Sequence, residues 1–201
     1  MLSILPFIAL SVGSLGDPAP VVPFGRAHDI HVCSDTIIRV VHRPSSKAVE
    51  KVSLIAKADW PPVKYSTSTV GDAVTVQTAK LTIELSTSMG TATFKDRSSG
   101  KLVLQEKGSS FTATQDMGQS TFQVQQTWVS PKKAEGLYGG GSYQNGIVNY
   151  KNAPIQMIQF NTEAVVPFFA STEGYGLLWD NYAWTYLNPP EGALVAPGLM
   201  S

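Results

Sequence analysis

The chain has 201 residues, with 15 Lys+Arg against 15 Asp+Glu and a formal net charge of zero, so no field of one sign draws it to nucleic acid or to an anionic membrane surface. Charged residues are 15% and hydrophobic ones 43%, a balance that excludes intrinsic disorder and leaves enough apolar side chains for one well-cored domain. The 17 glycines and 13 prolines interrupt the chain too often for long helices and suit short strands.

Residues 1–16, MLSILPFIALSVGSLG, carry no charged side chain. The apolar run from Leu2 to Val12 is shorter than the ~20 residues a membrane helix needs. Ser14 and Gly16 are small residues at the two positions that signal peptidase reads, and the polar Asp17-Pro18 follows. The expectation is a cleaved secretory signal over 1–16, a mature chain over 17–201 and a secreted protein. The competing reading, a buried N-terminal strand, is opposed by Pro6 and Gly13. Cys33 is the only cysteine, so no intrachain disulfide or cysteine metal cluster can form; it reads as a small buried hydrophobe. No Asn-x-Ser/Thr sequon occurs.

The rest reads as strands. Thr36–His42 is rich in β-branched residues and ends at Pro44. Asp72–Ala79 sets Val74 and Val76 on one face. Lys80–Ser86 alternates, with Leu81, Ile83 and Leu85 opposite Thr82, Glu84 and Ser86, the mark of a half-buried strand. The segment 96–101 (DRSSGK) is a turn joining Thr91–Lys95 to Leu102–Gln105. Ser120–Val129 alternates again, with Phe122, Val124, Gln126 and Trp128 sharing a face. Ile155–Phe160, Val165–Ala170 and Gly176–Trp179 complete the set. Trp60-Pro61-Pro62 is the rigid break between two sheet segments. Strands at this spacing, with no sustained helical period, predict an all-β, antiparallel β-sandwich.

Candidate chemistry is sparse. His28, His31 and His42 lack an acidic or cysteine partner at ligand spacing, so they read as ordinary surface or strand histidines, and neither a metal nor another cofactor is expected. Gly139-Gly140-Gly141-Ser142 lacks the Gly-Lys-Ser/Thr ending of a phosphate loop; three glycines suit a tight crossing with positive φ. There is no Gly-x-Ser-x-Gly elbow and no histidine after residue 42, which leaves a Ser-His-Asp triad without support. Asp180, between Trp179 and Asn181, is the most interesting acid, because an aromatic neighbour can raise a carboxyl pKa; the plainer reading is a turn cap.

The C-terminal third carries a resemblance. Glu135-Gly136-Leu137-Tyr138-Gly139 followed by Gln144-Asn145-Gly146, then Gln159-Phe160-Asn161-Thr162, then Val166-Pro167-Phe168-Phe169 with Ser171, then Gly174-Tyr175-Gly176-Leu177-Leu178-Trp179-Asp180-Asn181 together resemble the N-terminal β-sandwich domain of glycoside hydrolase family 31, the α-glucosidase and α-xylosidase family. Residues 30–134 fit that domain more loosely.

The resemblance implies a galactose-mutarotase-like sandwich, incomplete at its C-terminus, that packs on a (β/α)₈ barrel carrying the aspartate nucleophile and the aspartate acid/base. Neither an Asp-Met-Asn-Glu-like nucleophile stretch nor a βα repeat occurs here, so no residue of this chain is assigned a catalytic role. The implied function is that of a non-catalytic domain of a secreted α-glycosidase, supporting the absent catalytic barrel and bordering the active-site mouth, with an α-xyloside or α-glucoside oligosaccharide as the full enzyme's substrate. The motif forms sit closer to the xylosidase-like branch. The candidate sugar contacts are Trp179, Asp180, Tyr182, Trp184 and Tyr186, since sugars stack their C–H faces on aromatic rings. Two alternatives stand beside this: a self-standing carbohydrate-binding module, and an aldose epimerase-like enzyme, which would need a His and Glu pair in the sandwich cleft.

Overall fold

The structure is a computed structural model and describes residues 7–11, 19–48, 53–56, 60–129, 132 and 134–189. These hold fifteen strands and no helix. Strands β2 (Val21–Phe24), β3 (His28–Val32) and β4 (Ile37–His42) run as an antiparallel meander. A second meander follows in β5 (Ser66–Val70), β6 (Ala73–Gln77), β7 (Leu81–Ser86), β8 (Thr91–Asp96), β9 (Leu102–Asp116) and β10 (Gln119–Val129). It forms a six-stranded sheet ordered β10-β9-β8-β7-β6-β5. The chain then returns to the first sheet through β11 (Leu137–Ser142), β13 (Ala164–Ser171) and β14 (Gly176–Asp180). Between and after these, β12 (Ile155–Met157) and β15 (Thr185–Leu187) pair as a small ribbon.

The N-terminal segment enters here. Phe7–Ser11 forms β1, which pairs in parallel with β4 on one side and β14 on the other. The first sheet therefore reads β11-β13-β14-β1-β4-β3-β2. Every other pairing among the described strands is antiparallel, as the alternation predicts. Pro6 and Gly13 lie beyond the two ends of this five-residue strand, outside the described residues. The remainder of the expected leader, 1–6 and 12–16, lies outside the described residues.

The core lies between the two sheets. Phe24, Ile30, Val32, Ile38 and Val40 from the first face Val76, Leu81, Ile83, Leu85, Phe94 and Leu104 from the second. Removing each such side chain from water contributes about 1.5–3 kcal/mol. The period-2 pattern of β7 is reproduced residue by residue, with Leu81, Ile83 and Leu85 buried. Trp60-Pro61-Pro62 lies between β4, the last strand of the opening meander, and β5, the first of the second sheet, in chain without ladder bonds; proline has no N–H to give to a ladder.

Several strands depart from expectation. β9 runs to Asp116 and not to Gln105, because its outer half is polar and exposed and is held by backbone pairing to β10. The hairpin tip, Met117-Gly118, has both residues at positive φ, the geometry of a two-residue turn whose twist matches the strands. β12 ends at Met157, short of Phe160. Strands β2, β3, β5, β11 and β15 carry no alternation strong enough to be read. Cys33 is buried, as expected.

Candidate functional site

The four motifs of the C-terminal third converge on one another. Glu135 is buried; it accepts a hydrogen bond from the Ser171 hydroxyl and forms an ion pair with Lys151. Gly136 N–H donates to Thr172 Oγ1 at 2.9 Å, and Thr172 N–H donates back to the Gly136 carbonyl at 3.0 Å. Val165 N–H donates to Gln159 Oε1 at 3.0 Å. The glycine run 139–141 becomes β11, lying on β13 across a register shift. Its positive φ angles, 126°, 81° and 119°, are joined by close approach: a Cβ on Gly139 would meet the Phe168 carbonyl oxygen at 2.3 Å, and one on Gly141 the Ala164 oxygen at 1.9 Å. These motifs thus act as a structural knot that pins β11 to β13, and β14 joins it through Gly176, where a Cβ would strike the Phe168 ring at 2.7 Å.

Beside the knot, between β10 and the β14–β15 segment, lies a cleft of about 570 Å³. That is within the usual ligand-pocket range of about 300–1,000 Å³. It divides the five residues singled out in sequence. Trp179, Trp184 and Tyr186 line it, together with Trp128 from β10. Trp184 and Tyr186 have ring centroids 5.7 Å apart at 33°, a tilted pair. Trp179 Nε1 donates to Thr185 Oγ1 at 3.2 Å, which fixes its ring. Asp180 and Tyr182 do not line the cleft. Asp180 is 4% exposed and accepts the Tyr182 hydroxyl at 2.8 Å. Tyr182 is 54% exposed and receives the Leu54 N–H from a distant loop. The turn after Asp180 is capped by its neighbour: Ala183 N–H donates to Asn181 Oδ1 at 2.8 Å. Among the described residues, Glu135 is the cleft's one carboxylate and Lys151 its one cation, and they neutralise each other.

All three histidines lie in strands, one of the two readings expected of them, and His31 and His42 are buried. His28 and His42 are cross-strand partners in β3 and β4, with their Nδ1 atoms 2.7 Å apart. Two ring nitrogens at that distance share one proton, so one imidazole donates and the other accepts. Behind them stands the acid that local spacing did not provide: Glu106, 2% exposed, on β9 of the opposite sheet. Its Oε1 lies 2.8 Å from His42 Nε2, within ion-pair reach but out of line for a straight hydrogen bond. Gln126 Nε2 donates to the same oxygen at 2.7 Å, and Ala92 N–H to Oε2 at 3.2 Å. Burial, then the neighbouring His42, holds His28 below its ordinary pKa of 6.5, against the pull of Glu106 and Asp29. This network stitches the two sheets together inside the sandwich. Of its members only Gln126 lines the cleft; His28, His42 and Glu106 do not, so they are not placed there as the acid/base pair an epimerase would need. No group of three or more metal-ligating side chains occurs among the described residues.

Comparison with known proteins bears on the knot and the cleft alike. The family model described as the glycosyl hydrolase 31 N-terminal galactose mutarotase-like domain matches residues 28–188. An α-xylosidase of Saccharolobus solfataricus is 27% identical over 165 residues, 77% of this chain and 22% of the relative. The crystal structure of a family 31 α-xylosidase from Xanthomonas citri superposes with a TM-score of 0.74 at 34% identity, covering 90% of this chain and 20% of that one. A soil-metagenome α-xylosidase solved with xylose shares the fold, with a TM-score of 0.68 at 23% identity. The chain thus spans 20–29% of the length of these relatives. With its sandwich, its glycine-bearing β11–β13 knot and the match over 161 residues from 28 to 188, the chain belongs to the glycoside hydrolase 31 N-terminal galactose-mutarotase-like domain family.

Proposed function

We propose that this chain serves as the non-catalytic N-terminal domain of a secreted α-glycosidase of the α-xylosidase type. The parent enzyme would hydrolyse terminal α-linked sugars on a catalytic barrel that this domain supports and whose active-site mouth it borders. The observation that carries the reading is the alignment of nearly the whole sandwich with about a fifth of two α-xylosidases. The chemistry of the described residues supports it. Retaining hydrolysis needs two carboxyl groups about 5–5.5 Å apart across the sugar. Among the described residues the cleft has only Glu135, which is tied to Lys151 and Ser171. Asp180 is held by Tyr182, and Glu106 is enclosed by three partners. Val148, Phe160, Val166 and Tyr182 leave large apolar side chains exposed in the C-terminal third; a docked barrel would remove such area from water. Reading the source gene beyond codon 201 tests the proposal. An Asp-Met-Asn-Glu-like motif in the same frame, after several βα repeats, is the expected result, and its absence from the frame would refute the parent-enzyme reading.

A further inference from the structure

We propose that the cleft between β10 and β14–β15 is a binding site for a neutral saccharide, held by this domain's own residues. Three features of the lining select that ligand class. The first is apolar ring surface: Trp128, Trp179, Trp184 and Tyr186 surround a space of about 570 Å³, and the Trp184–Tyr186 pair forms a slanted platform of the kind on which the C–H faces of a pyranose lie. The second is charge. Glu135 and Lys151 cancel as an ion pair, and the other polar side chains of the lining are neutral amides and hydroxyls, among them Gln126, Asn152, Asn181 and Thr185. A phosphorylated or carboxylated ligand would find no free counter-charge there, and burying its charge unpaired is costly. The third is hydrogen-bonding capacity. The lining carries the amides of Gln123, Gln125, Asn152 and Asn181 and the hydroxyl of Thr127. A hydrocarbon ligand would take these groups from water with nothing to bond them. A molecule with apolar faces and many hydroxyl acceptors satisfies both requirements, and a sugar has both.

The existence of the site does not depend on the parent enzyme's activity; only the choice of an α-xylosyl probe rests on that reading. The test uses the full 201-residue chain, titrated with 6-O-α-D-xylosyl-D-glucose and separately with maltose. Binding is read by saturation-transfer NMR on the sugar, a signal independent of the tryptophans. Saturable binding near about 1 mM, as for a small ligand on an open cleft, is expected. Trp184→Ala should weaken it roughly tenfold, as loss of an aromatic anchor does. Trp184→Phe, which keeps a ring and loses the N–H, should weaken it less, and it carries the test if the alanine variant does not fold. Maltose binding without xylosyl-glucose binding would support the cleft and count against the α-xyloside reading. Absence of saturable binding of either sugar to a chain with native circular dichroism would overturn the proposal. So would an affinity unchanged in both Trp184 variants.

Discussion

Glu106 is the most consequential polar group in the sandwich, and replacing it tests how the two sheets are joined. The carboxylate sits on β9, yet its partners come from β8 (Ala92 N–H), β10 (Gln126 Nε2) and β4 of the opposite sheet (His42 Nε2). Both oxygens are used as acceptors, and the residue is 2% exposed. Glu106→Gln keeps the shape but substitutes an NH₂ for one acceptor. Whichever way the amide turns, it sets donor against donor, either at Ala92 or at Gln126. One buried donor left unsatisfied costs about 1–3 kcal/mol. Glu106→Leu removes every acceptor and should cost more, about 3–5 kcal/mol by analogy with breaking a buried charged pair. For a chain of this size, about 2 kcal/mol corresponds to roughly 4–8 °C in Tm. Urea unfolding should show the midpoint falling in the order wild type, Gln, Leu with the slope m unchanged. If Glu106→Leu melts within about 1 °C of wild type, well inside that shift, the carboxylate is not what holds the sheets together.

The remaining predictions follow from neighbouring features. His28 is held below its ordinary value of 6.5 by burial and His42, so the unfolded chain binds the extra proton first; its contribution is intact above that value and is lost as pH falls from it toward the lower folded-state pKa, and His28→Asn should flatten this part of a Tm–pH curve. Gly141→Ala, with φ +119° and a Cβ 1.9 Å from the Ala164 oxygen, should cost more than about 3 kcal/mol or prevent folding. Gly71→Ala, with φ +58° and open space, should cost only about 1–2 kcal/mol; equal losses at the two sites would show that close packing of β11 on β13 is not what Gly141 provides. Secretion is tested by N-terminal sequencing of exported protein: a start at Asp17 is expected, and an intact Met1 in exported material would refute the leader. Removal of 1–16 would vacate the β1 place between β4 and β14, so the processed chain should show altered amide exchange at Ile37–Val41 and Gly176–Asp180.

How far the sequence could be read depended on whether the deciding interaction was local. Leu81, Ile83 and Leu85 alternate because one face of β7 is core, and that alternation is visible in six letters. The outer half of β9 is not visible: GSSFTATQD carries few apolar residues, and its strand exists because β10 supplies the ladder. The glycine run announced its backbone freedom, but its status as strand β11 depends on Phe168 and Ala164 lying against it. The histidines are strand residues, as one reading expected, but their acidic partner was not visible. His42 and Glu106 are 64 positions apart and meet only when the sheets close, so no local spacing could pair them. At the candidate site, Trp179, Trp184 and Tyr186, singled out through the family resemblance, line the cleft, while Trp128 comes from β10, whose alternation shows in sequence only that it shares a face with Phe122, Val124 and Gln126. Asp180 looked exposed to chemistry beside Trp179, yet the Tyr182 hydroxyl two residues on satisfies it.

The most direct measurement of the proposed division of labour is hydrolysis of aryl α-xyloside and aryl α-glucoside by the 201-residue chain, run beside Asp180→Asn. General acid/base help from one side chain supplies only about 10²–10⁴ in rate, and a single carboxylate cannot act as nucleophile and acid on opposite sides of one bond. Rates at background in both proteins are predicted. Turnover in the native chain that disappears in Asp180→Asn would make Asp180 catalytic and contradict the non-catalytic role.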